Sequence, residues 1–143
     1  MIKGKQSIAF KASPYIEESA SVVGKKEGEG PLGSRFDMVG LDDMFGEDTW
    51  EKAESSMQKE ACQLALGKAH LTAGAIRYLF GGDLLRQGVA TSLGVEQLQI
   101  PMFGLYGACS TSGEALALAS MCVAAGYGER MLLSLIHISE PTR

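Results

Sequence analysis

"GLYGACSTSGEALALAS", Gly104 to Ser120, is the stretch that decides the fold. The apolar run "QIPMF" leads into a glycine, a small residue and Cys109; three hydroxyl residues follow, and then an alanine-rich segment. That order predicts a buried strand, a tight turn and a helix from Ser112 to Ala125, stopped by Gly126 or Gly128. Cys109 then stands at a helix N-terminus, where unpaired N–H groups and the helix dipole favour negative charge. Such a place stabilises a thiolate and suits a bound carboxylate equally well. Gly107 and Ala108 leave room beside the sulfur, and Ser110, Thr111 and Ser112 supply hydroxyls. From the residues alone, Cys109 is a nucleophile, a pocket wall or a small packed residue.

Working outward, "QSIAF", Gln6 to Phe10, has the pattern of a first strand, and the charged, Gly-rich "KKEGEGPLGSRFD", Lys25 to Asp37, that of a surface loop. A helix is expected from Trp50 to about Lys68, with Asp48 as cap and Glu51 as its box partner. Its apolar stripe would be Trp50, Ala53, Met57, Ala61 and Leu64, with Glu51, Lys52, Glu54, Lys59 and Glu60 mostly facing water. "AIRYLFGGDLL", Ala75 to Leu85, predicts a buried strand, "GVATSLGVEQL" a short helix, and "ERMLL" the start of a last strand. Alternating strands and helices predict an α/β fold, mostly parallel, with helices on both faces. Ligands in such sheets sit beyond the carboxyl ends of the strands, where Cys109 falls.

Composition narrows the function. The 143 residues hold 45% hydrophobic and 21% charged residues, enough for a packed core. A net charge of −4 with scattered Lys and Arg gives no footprint for nucleic acid. No apolar run approaches the ~18 residues of a membrane span, and the N-terminus has no signal-peptide core. Three cysteines without framework spacing fit a reducing compartment; Cys62 and Cys122 lie inside helical patterns. Asp42, Asp43, Glu47 and Asp48 lack the Gly-punctuated spacing of a calcium loop and are expected to form a solvated acidic turn. Thiol catalysis needs a base, and the two histidines do not supply one: His70 ends the Trp50 helix and His137 lies near the C-terminus.

The turn "GACSTSGEALALAS" resembles the nucleophile turn of the thiolase and ketoacyl-synthase superfamily. Together, "KKEGEGPLG", "FGEDTWEKAESSMQKEA", "FGGDLL" and "FGLYGACSTSGEALALAS" are similar to the stage V sporulation protein AD family, over about Ile2 to Leu132. The resemblance implies a thiolase-like fold, of which residues 1–132 form most of the N-terminal half. It implies binding of dipicolinic acid, as its calcium chelate, for uptake into the developing spore, without enzymatic activity. It also implies membrane-embedded partners from the same operon and a peripheral place at the inner spore membrane. Cys109 matches the family's pocket cysteine, so the expected ligand-binding residues are Cys109, Ser110, Thr111 and Ser112, with no catalytic residue, metal or cofactor. The alternative is a thiolase- or ketoacyl-synthase-like acyltransferase using Cys109. The ending "SLIHISEPTR" does not resemble the family; it looks like translated adapter sequence, so 133–143 is expected to be a spurious tail, and His137 and Glu140 are given no role.

Overall fold

The computed structural model describes residues 2–84 and 87–136. The main sheet has three parallel strands in the order β6-β5-β7: β5 is Tyr78–Gly82, β6 Met102–Gly104 and β7 Met131–Leu135. Leu79 faces Met102 on one side and Leu132 on the other; Phe80 faces Phe103 and Leu133. Because side chains alternate along a strand, these two rows feed opposite faces. Leu79 and Leu132 pack with Cys62, Leu66, Ile76 and Val95 under helices α2 (Trp50–Lys68) and α3 (Val89–Val95). Phe80 packs with Ala115 and Ala119 of α4 (Thr111–Ala124) on the other face. The chain is therefore α/β with helices on both faces of a parallel sheet, as the alternation predicts.

Two smaller pairings precede this core. Strands β1 (Ile2–Lys3) and β2 (Ser7–Ile8) form an exposed antiparallel hairpin. "QSIAF" thus contributes two strand residues outside the main sheet, because the turn at Gly4 (φ 66°) returns the chain on itself. Strand β3 (Val22–Val23) runs parallel to β4 (Met38–Val39). Between them, the expected loop holds one helical turn, α1 (Lys25–Gly28), and a 3-10 turn at Gly33–Arg35. Lys68 ties this region to the end of α2, since its ammonium donates to the Ser19 carbonyl at 2.6 Å and to Asp37 at 2.8 Å.

Helix α2 has the expected bounds but a different cap and face. Thr49, not Asp48, caps it, accepting Lys52 N–H at 3.3 Å; Asp48 pairs with the Lys52 ammonium at 2.7 Å instead. Its buried ridge is Ala53, Glu54, Gln58, Cys62 and Leu66, while Trp50 is 55% exposed. Glu54 and Gln58 turn inward because Leu84 N–H, Thr91 and Ser134 meet them there, so polarity was a false guide to the buried face. Backbones come close where α2 meets α3: a Cβ at Gly94 would lie 2.6 Å from the Ser55 carbonyl oxygen. The strand β6, expected to be buried, is an outer strand with Phe103 49% exposed; its ring stacks on Phe80 at 5.1 Å between centroids.

Helices α2 and α4 end alike. His70 N–H donates to Gly67 O and Leu71 N–H to Leu66 O; Gly126 N–H donates to Val123 O and Tyr127 N–H to Cys122 O. Each is a Schellman stop with a left-handed residue, His70 at φ 55° and Gly126 at φ 79°. The stretch 133–143 begins inside β7: Leu133, Ser134 and Leu135 belong to the strand, and Ser134 is buried. Residues 137–143, with His137 and Glu140, lie outside the described residues.

Candidate functional site

At the carboxyl edge of the sheet, two strands run into helices through short turns. The turn after β6 carries Cys109. Leu105 N–H donates to the Gly81 carbonyl at 2.8 Å, extending the pairing of β6 with β5 by one residue. The chain then turns at Gly107, passes through a 3-10 turn at Ala108–Ser110 and enters α4. Ala108 has φ 48°, a left-handed conformation that costs a residue bearing a Cβ. The next residue, Cys109, is exposed.

The hydroxyl residues divide. Thr111 is buried, and its Oγ1 accepts Gly107 N–H at 3.1 Å, closing the turn. Ser110 is exposed; its hydroxyl lies 2.7 Å from Gly107 O and 2.6 Å from Glu114 Oε1. Ser112 is exposed beside Cys109. No side chain caps α4, so the open face of its first turn holds Cys109, Ser110 and Ser112, with Thr111 beneath. Glu114 is the residue that sequence reasoning missed. It places a carboxylate beside Ser110, and a Cβ at Gly107 would meet the movable ends of both side chains. Its spacing from Ser110, i to i+4 on a helix, was the available signal.

Other groups considered from the sequence lie elsewhere. His70 leaves α2 on the side where β5 begins, whereas Cys109 follows the end of β6. Cys62 is buried, and burial pushes its thiol pKa up, so it is a poor nucleophile. The acidic turn spends its carboxylates separately: Asp42 Oδ1 accepts Met44 N–H at 2.8 Å, Asp43 Oδ1 accepts Lys26 N–H at 3.0 Å, and Glu47 takes the Ser56 hydroxyl at 2.8 Å. A cavity of about 510 Å³ lies at the start of β7, walled by Tyr15, Ile16, Leu66, Ile76, Leu116 and Val123. It is at the opposite edge from the cysteine turn and shares no lining residue with it.

The fold and this turn define a parallel α/β domain that presents a cysteine at a strand-to-helix elbow. The sequence model of the family described as "Stage V sporulation protein AD (SpoVAD)" matches residues 4–139. Stage V sporulation protein AD of Bacillus subtilis (strain 168) is 39% identical over 132 residues, covering 92% of this chain. The chain belongs to the stage V sporulation protein AD family, a family of sporulation proteins. It spans 39% of the length of that curated relative.

Proposed function

We propose that the cysteine turn forms one wall of a binding site for dipicolinic acid, taken as its calcium chelate, and that the protein serves uptake of that chelate into the developing spore. The observation that carries the reading is the uncapped start of α4, with Cys109 and Ser112 exposed on it. The positive end of the helix matches a carboxylate. Glu114 supports the chelate over the free acid: its charge repels a bare dianion and attracts a calcium ion held by one. The role is binding rather than catalysis. His70 leaves α2 where β5 begins, whereas Cys109 follows the end of β6, so that imidazole does not serve as its base. We place the protein at the inner spore membrane as a peripheral component, acting with membrane proteins of the same operon; no described helix is long and apolar enough to cross a membrane.

Calorimetry tests this on a chain of the family's full length carrying this sequence. Calcium dipicolinate is expected to give a saturable heat, and Cys109→Ala to weaken binding by about 1 kcal/mol, roughly fivefold in Kd, through lost sulfur contacts. No heat with the intact protein overturns the proposal. A stable acyl group on Cys109 after exposure to an acyl-CoA would replace it with an acyltransferase.

A further inference from the structure

The N-terminal hairpin stands outside both core clusters. Its strands β1 and β2 put Ile2 opposite Ile8 and Lys3 opposite Ser7, and Gly4 turns the chain between them at φ 66°. Every residue from Ile2 to Ile8 is exposed, Ile2 by 80% and Ile8 by 52%. Because side chains alternate along a strand, the two isoleucines share one face and Lys3 lies on the other. Lys5 stands in the turn, and Lys11 follows three residues after Ile8, within about 10 Å of it along the chain. Neither isoleucine joins a core cluster, so a two-stranded hairpin, marginal by itself, holds an apolar pair out to its surroundings.

Charge sets the same segment apart. Three of the 13 Lys and Arg lie within residues 1–11, whereas all 17 Asp and Glu stand at Glu17 or beyond, in a chain of net charge −4. Lys52, Lys68 and Arg130 are paired with Asp48, Asp37 and Glu17. Lys3, Lys5 and Lys11 have no ion pair among the described residues. Their charge is therefore uncompensated beside an exposed aliphatic pair, on a protein that is otherwise acidic.

We propose that this hairpin docks the protein on an anionic lipid membrane: Ile2 and Ile8 enter the boundary between headgroups and acyl chains, and Lys3, Lys5 and Lys11 meet the lipid phosphates. The inference deepens the peripheral placement proposed above and rests on it, but needs neither dipicolinate nor Cys109. Burying the isoleucine face leaves the opposite face at headgroup level, where the long stem of Lys3 lets its ammonium stay among the phosphates. Peripheral binding takes two signals, and the hairpin combines them: apolar area and a cluster of cations. A lipid surface fits better than a nucleic acid, because the exposed strands offer aliphatic side chains and no aromatic ring on which a base could stack. The acidic remainder of the chain is repelled by the same surface, so the hairpin also sets which side of the protein faces it.

Vesicle co-sedimentation with a chain of the family's full length carrying this sequence tests it. Vesicles of phosphatidylcholine and phosphatidylglycerol in equal parts should pellet the protein; phosphatidylcholine alone should not, and added salt should release it. Lys3→Gln, Lys5→Gln and Lys11→Gln together should weaken binding on the order of a hundredfold, from about fivefold per lysine. Ile2→Ser with Ile8→Ser should weaken it roughly tenfold. All five side chains are exposed, so both variants should keep the wild-type circular dichroism spectrum. Failure of the wild type to bind the anionic vesicles overturns the proposal. So does unchanged binding in either variant, or tighter binding to a single-stranded oligonucleotide than to the vesicles. Recovery in the membrane fraction of sporulating cells keeps the two readings apart: a protein found there that ignores the vesicles overturns the lipid docking and leaves the peripheral placement standing.

Discussion

The turns after β5 and β6 do the same topological task and are finished in opposite ways. After β5, the chain brings its own anion: Asp83, 1% exposed, takes two backbone N–H groups and a hydroxyl at the start of α3. After β6, no side chain caps α4, and the residue at the elbow is an exposed cysteine. Among the described residues of the first turn, the Asp83 carboxylate takes up the donors at the start of α3. The second presents Cys109 and Ser112 to the outside. The contrast teaches that a helix start at the carboxyl edge of a sheet is available to a ligand only where the protein has not already filled it.

Four substitutions break or sharpen this contrast, in falling order of effect. Asp83→Ala removes the acceptor of three donors at once, two of them in buried bonds. It should cost about 3 kcal/mol or more in chemical denaturation, with the loss centred on α3. Gly82→Ala forces a methyl group against the Leu105 carbonyl and Thr111, where the obstacle includes backbone. An overpacking cost of roughly 2 kcal/mol is expected, whereas Gly107→Ala meets only the movable ends of Glu114 and Ser110 and should cost less. Cys109→Ala should change stability by no more than about 0.5 kcal/mol, because the side chain is exposed. A large loss of stability in that variant would make Cys109 a packing residue and remove the distinction between the two turns.

The contrast also explains what the sequence could disclose. Apolar runs, closed by Gly in β5 and β6, marked β5, β6 and β7, and the Ala-rich repeat marked α4. The elbow at Cys109 was legible from the same pattern. The inward turn of Glu54 and Gln58 was not, since periodicity counts a buried, hydrogen-bonded polar residue as a solvent-facing one. The exposure of β6 was hidden as well: an apolar strand looks the same in a sequence whether a neighbour covers it or not. Two-residue pairings such as β3 with β4 carry too little pattern to be seen, and depend on contacts such as Ser21 with Asp37, 16 residues apart. At the site, Cys109 was found by its position between a strand and a helix, and Glu114 was overlooked because a carboxylate one turn into a helix ordinarily faces water.

The central claim, that the cysteine turn is open to a ligand and the Asp83 turn is closed, is tested most directly by the alkylation rate of Cys109 in a chain of the family's full length. Cys62 is buried and slow to react, so mass mapping can follow the exposed thiol. The account predicts that saturating calcium dipicolinate slows alkylation of Cys109 at least several-fold, while exchange of the Gly88 and Thr91 amides is unchanged. An unaltered rate at Cys109 in the presence of bound chelate would contradict it.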